Sequence, residues 1–224
     1  NSDEGILGTW ERQSTILKTM SSHLMLPGVF GPACVIVSQI TQYKETPEFT
    51  MEHRQLMMAT LYRGMRHYHD NAAILNRAIG AIHSAATHGW HADWLRTGDH
   101  RKEILSTLGE TIDKYLIGSG KDQNLIAKIM WIFAFLSLND DFLSLLAAPA
   151  TRTGILAKTG GDMGAGKETG GYVAKCANAC AAFGYKHMGA NSQLLKMLDA
   201  LSLGPTQVQR DVIAQVRRGV ERCI

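Results

Sequence analysis

The stretch "IAKIMWIFAFLSL" (126–138) decides the fold, because "VAKCANACAAFGY" (173–185) lies over it position by position 47 residues further on. An aliphatic residue, Ala and Lys open both, Ala134 meets Ala181, and Leu138 meets Tyr185. Apolar residues recurring at three and four make each a helix. After a short polar break each is followed by a second apolar stretch, "DDFLSLLAA" (140–148) in one case and "NSQLLKMLDALSL" (191–203) in the other. The unit is therefore a helical hairpin. A third copy, "LNRAIGAIHSAAT" (75–87), stands 51 residues before the 126 copy, with Arg77 at the position of Lys128 and Lys175. Its second helix is "HRKEILSTLGETIDKYL" (100–116), reached through "HGWHADWLRTGD".

Hairpins of this length bury their apolar faces only against neighbouring copies, so the expected architecture is an all-α solenoid of stacked helical hairpins, an armadillo-, HEAT- or octotricopeptide-like superhelix. Helices are expected near 10–25, 31–43, 48–69, 71–87, 100–116, 122–138, 140–148, 171–185, 190–203 and 206–222. "LPGVFGP" (26–32), "KETPEF" (44–49) and "LGPT" (203–206) punctuate them. The domain reading is one helical-repeat domain over 1–224. Residues 1–70 form irregular N-terminal capping helices, and 71–120, 121–150 and 171–204 form the repeat hairpins. A Gly-rich loop covers 149–170 and a C-terminal helix 205–224.

Composition agrees with this class. Hydrophobic residues make up 45% of the 224 and aromatics 7%, a balance weighted to Ala, Leu, Ile and Met that favours helices over sheets. The chain is long enough for a large core and reads as soluble and globular. A net charge of +3 with a pI near 8.7 permits nucleic acid as a partner without demanding it. Four cysteines are too few for a disulfide framework in this length, and Cys176 and Cys180 read as buried small apolar residues on one helix face in a reducing compartment. "IMWIFAFLSL" (129–138) is about half of what a membrane helix needs, which makes it a core helix and excludes a membrane role. The chain opens on Asn1 rather than Met, and is expected to be a processed product or a fragment from which any targeting peptide has gone.

"QNLIAKIMWIFAFLSLNDDFLSLLA" (123–147) resembles a unit of the octotricopeptide and heptatricopeptide class, the helical repeats also found upstream of RAP domains and in FAST-kinase-like proteins. Gln123, Asn124, Ala127, Trp131, Ala134, Leu143 and Leu146 fit the plan of a polar start, an aliphatic-Ala-x-x-x-Trp-x-x-Ala core and a leucine-rich second helix. The copy at 172–198 keeps Ala174 and Ala181 and has Asn178 in place of the Trp. The resemblance implies a non-catalytic binding or scaffold subunit of organellar, mitochondrial RNA processing, editing or ribosome assembly. It would work alongside RNA and other subunits of a ribonucleoprotein complex, with no cofactor and no small-molecule substrate. Armadillo and HEAT repeats share the same length and texture, and the alternative they imply is a protein-only scaffold.

Equivalent positions in stacked repeats form a stripe, so Arg77, Lys128 and Lys175 are the first candidates for RNA phosphate. Lys167 in the Gly-rich loop and Arg217 and Arg218 in the last helix are the others. "GGDMGAGKETGG" (160–171) is nearly the nucleotide-cradling loop G-x-x-x-x-G-K-[ST], but Glu168 stands where a hydroxyl should meet Mg²⁺, and no parallel sheet surrounds it. A nucleotide-binding enzyme acting through 161–169 is therefore the remote alternative. Loop residues Arg152, Lys158 and Lys167 are placed to touch RNA or a partner chain. His83, His88 and His91 match no zinc spacing and read as structural, while Trp90 and Trp94 read as packing the hairpin turn, with base stacking as the sharper alternative. In 54–69 Met and Leu share one face, and Arg54, Arg63, Arg66 and His67 lie elsewhere. Asp140 and Asp141 sit at a helix start, where carboxylates complement the dipole, and no catalytic grouping can be assembled.

Overall fold

A computed structural model describes residues 10–42, 50–97, 99–117, 122–136, 142 and 145. The chain divides into two compact units, Asn1–Leu136 and Ser137–Ile224. The described residues of the first form seven α-helices and no strand: α1 (Trp10–Ser22), α2 (Pro27–Ile40), α3 (Met51–His67), α4 (Ala72–Thr87), α5 (Gly89–Leu95), α6 (His100–Ile117) and α7 (Gln123–Leu136). The fold is all-α. The copy at 173–185, the loop at 160–171 and the C-terminal helix expected at 206–222 lie outside the described residues.

The helix starts follow from local chemistry. Asn71 caps α4 by accepting from the Ile74 N–H at 3.2 Å, and Asp122 does the same for α7 through Leu125 N–H at 3.1 Å. Pro27 opens α2 at the first helical position, where its fixed φ suits the helix and its missing N–H costs nothing. This moves the start of α2 to Pro27, into the segment that the sequence reads as a break. Pro32 then lies inside the helix. The carbonyl it leaves without a partner belongs to the exposed Gly28, which water can reach, so the helix continues. A short helix, α5, stands where the sequence suggests only a turn. It begins at once because His88 ends α4 in extended backbone, its Nδ1–H donating to the Ser84 carbonyl at 2.7 Å, and opens α5.

Packing sorts the helices into two sets. α1 packs on α3 and α3 on α6, whereas α2 packs on α4 and α4 on α7. The sets are joined by α1 against α2, α3 against α4 and α6 against α7. The burial pattern recurs within each. Ile74, Leu75, Ala78, Ile79 and Ile82 of α4 are buried, and so are Leu125, Ile126, Ile129, Met130 and Phe133 of α7, each 51 positions later. Met57, Leu61 and Met65 of α3 correspond to Ile104, Leu108 and Ile112 of α6 at a spacing of 47. Residues 10–67, expected as irregular capping helices, carry a similar pattern: Phe30, Ala33, Cys34 and Val37 of α2 precede Leu75, Ala78, Ile79 and Ile82 by 45.

Polar ties hold successive helices in register. Tyr68 donates to the Leu24 carbonyl at 3.1 Å, and Tyr115, 47 positions later, donates to the His69 carbonyl at 3.0 Å. Ser84 of α4 donates to the Ser38 carbonyl at 2.8 Å, one of the last carbonyls of α2. Arg96 donates to the Phe135 carbonyl at 2.7 Å at the end of α7. The last two satisfy carbonyls at helix ends, and the two tyrosines satisfy carbonyls of the turns that follow α1 and α3. Between them the cores are apolar, with Leu17, Met20, Phe30, Leu61, Phe133 and Leu136 fully buried.

One buried polar group stands apart. The Tyr62 hydroxyl is buried and has no hydrogen-bond partner among the described residues, and burial pushes its ionisation far upward. Removing such a hydroxyl removes a desolvation cost and no bond. Tyr62→Phe is therefore expected to match or exceed the wild-type urea midpoint. A fall of about 1 kcal/mol or more would show that the hydroxyl has a partner.

Candidate nucleic-acid interface

The two helix sets differ sharply in carboxylate content. α2, α4 and α7 contain no Asp or Glu, and their one Arg and one Lys are Arg77 and Lys128. The other set carries Glu11, Glu52, Glu103, Glu110 and Asp113. Arg66 pairs there with Glu103 at 3.0 Å, and Lys114 with Asp70. Some cations of α3 and α6 are thus paired at close range, while Arg77 and Lys128 have no carboxylate on their own helices.

The described members of the predicted stripe lie on neighbouring helices. Lys128, half-buried on α7, donates from Nζ to Asn76 Oδ1 at 2.5 Å, and Asn76 is the residue before Arg77 on α4. An ammonium has three donors, so this bond fixes the amine and leaves capacity for an anion. Arg77 is exposed. Its Nη1 lies 3.0 Å from where a Cβ on Gly31 would sit, so the guanidinium rests over the bare backbone of α2. No carboxylate partners it among the described residues. Its positive charge also works on the buried Cys34, whose thiol burial pushes up to about 12 despite that charge. Lys167, Lys175, Arg217 and Arg218 lie outside the described residues, as do Arg152, Lys158, Cys176, Cys180, Asp140 and Asp141.

One turn beyond Lys128 the interface becomes aromatic. The His83 ring of α4 lies 6.0 Å from the Trp131 ring and 6.3 Å from the Phe135 ring of α7, the latter edge to face. All three are half-buried. Burial, then the nearby Lys128 and His88 charges, hold His83 below the usual imidazole range, so it is neutral at pH 7. Asn76, Lys128 and this aromatic group lie along the α4–α7 seam, while Arg77 leans the other way, over α2.

The sequence reading of these residues needs adjusting at one point. Trp131, placed in the repeat core, is half-exposed. His83 belongs with the α7 aromatics, away from any ligand set, and no three His, Cys, Asp or Glu side chains gather as a metal site among the described residues. His91 is fully buried, with its pKa held down to about 3 by burial and by Arg54 and His88. Trp94 is buried against His100, ring centroids 3.9 Å apart. Asn76, Gly80 and Phe135 carried no motif that singled them out. A signal that could have directed attention to these helices is their lack of carboxylates. No described helix is long and apolar enough to cross a membrane. Comparison of the chain with family models, with curated proteins and with solved structures finds no match to any of them.

Proposed function

We propose that the chain is a non-catalytic RNA-binding subunit, an α-solenoid of helical hairpins that holds single-stranded RNA along the α2–α4–α7 face. The observation that carries this reading is the charge of that face: two cations at equivalent positions, 51 apart, on helices without a carboxylate. Phosphate binding releases counterions and needs no deep pocket, which suits a shallow seam. Recurrence of the buried positions at 45, 47 and 51 residues supports the solenoid. Lys175, and with it Lys167, Arg217 and Arg218, extends the stripe in this proposal. The resemblance to octotricopeptide repeats adds the setting, a mitochondrial ribonucleoprotein concerned with RNA processing, editing or ribosome assembly.

The test is filter binding of a single-stranded oligoribonucleotide across a salt series. Wild-type affinity should fall steeply with salt, and Arg77→Glu with Lys128→Glu should weaken binding at least tenfold and flatten the salt slope by about two charges. Absence of retention at low salt would overturn the reading in favour of a protein-only scaffold. Thermal stabilisation by Mg-nucleotide that Lys167→Ala abolishes would instead favour the nucleotide-binding alternative.

A further inference from the structure

Gly80 lies in the interior of α4, where glycine costs roughly 1 kcal/mol relative to alanine. Two other helical glycines have a packing reason, whereas Gly28, in the exposed first turn of α2, has none. Gly64 sits under the Phe30 ring, and Gly31 under the Arg77 side chain. Gly80 has none: a Cβ built there meets no atom within 4 Å. Its place along the helix is informative. Asn76 precedes it by one turn and is bonded to Lys128, and His83 follows it by one turn and faces Trp131 and Phe135. Gly80 therefore leaves open space on α4, a notch one turn from the Asn76–Lys128 pair and one turn from the ring of His83. From Asn76 to His83 is seven residues, or about 10 Å of helix, enough for one nucleotide.

The geometry points to a base-stacking site in this notch: one unpaired RNA base seats over Gly80 against Trp131 and His83, with its phosphate on Lys128. The inference rests on the reading of this face as an RNA interface and adds what it recognises. Four features favour this occupant. The absence of any carboxylate from α2, α4 and α7 complements a polyanion. An aromatic group beside a fixed ammonium matches the alternation of base and phosphate along a single strand. The Asn76 amide can offer an N–H or a carbonyl to a base edge. A glycine floor lets a flat ring approach the helix backbone, which any larger side chain would block.

Two ligands separate the inference from the reading beneath it: a short single-stranded oligoadenylate and an abasic strand of the same length, which keeps the phosphates and lacks the bases. Wild-type chain should prefer the oligoadenylate roughly tenfold or more, as expected of one stacked base. Gly80→Leu, which fills the notch, and Trp131→Ala, which removes the largest ring, should each bring that ratio close to one. Gly80→Ala should melt at a higher temperature than wild type, because the site is open and alanine is the better helix former. Equal wild-type affinity for the two strands would overturn the stacking site and leave phosphate binding standing. Binding of neither would overturn both. A preference that survives Gly80→Leu and Trp131→Ala would place base recognition elsewhere and overturn the notch.

Discussion

Gly64→Ala is expected to lower the melting temperature by up to about 10 °C. A Cβ on Gly64 of α3 would fall 1.9 Å from Phe30 Cζ, 2.3 Å from Cε2 and 2.6 Å from Cε1. Real Cβ atoms do not approach that closely, so the ring or the helix must move. The Phe30 ring has nowhere easy to go. It is fully buried on α2 and stacked on Tyr68, ring centroids 5.4 Å apart, and Tyr68 is tied to the Leu24 carbonyl. Overpacking of this kind costs typically about 1–3 kcal/mol. For a chain of this size each kcal/mol corresponds to roughly 2–4 °C. Phe30→Leu combined with Gly64→Ala should recover part of the loss, giving a coupling in a double-mutant cycle that neither single change predicts. A melting temperature for Gly64→Ala within about 2 °C of wild type would show that α2 and α3 are not packed this closely.

The second large effect is on acid stability and centres on His91. Its ring is fully buried, and its pKa is held down to about 3, first by burial and then by the charges of Arg54 and His88. The unfolded value is 6.5. Between those two values the unfolded chain binds a proton that the folded chain refuses, so stability rises with pH across the window and falls as the solution is acidified. Above about 6.5 both states are neutral and the contribution vanishes. Each unit of that window is worth about 1.4 kcal/mol, so acidification from pH 7 to pH 4.5 should cost on the order of 2–3 kcal/mol through His91. His53, His83 and His100 are also shifted down by burial and add in the same direction. Urea midpoints at the two pH values measure the loss. His91→Gln should shrink it by more than half, and an equal loss in wild type and variant would assign the acid sensitivity to other groups.

The helices themselves were readable from the sequence. Six of the seven follow from apolar residues at three and four; the caps Asn71 before α4 and Asp122 before α7 were seen only in the structure. α5 escaped because seven residues hold barely two turns, too few for a periodic signal, and because His88 serves both helices at once. α2 escaped in its first turn because Pro and Gly read as a break, although Pro27 is at the one position that favours it. The equivalence of Arg77 and Lys128 was also readable, and the buried positions of α4 and α7 keep the same spacing of 51.

Which helix packs beside which was a different matter. Drawing the unit from 71 to 120 pairs α4 with α6, yet α4 packs on α2, α7, α5 and α3, and α6 on α3, α5 and α7. A repeat has no intrinsic start, so a sequence spacing fixes its length and leaves its phase open.

The sequence by itself determined that this chain is helical, that its helices recur at close to 50 residues, and that Arg77 and Lys128 are counterparts, because periodicity and spacing are properties of the chain order. Only the tertiary structure decided that Trp131 is half-exposed, that His83 joins it, that Lys128 is tied to Asn76, and that Gly80 opens a notch while Gly64 closes one. Those outcomes depend on which neighbour faces each side chain across a helix seam. The same glycine in the same kind of helix serves close packing at one position and leaves open space at another.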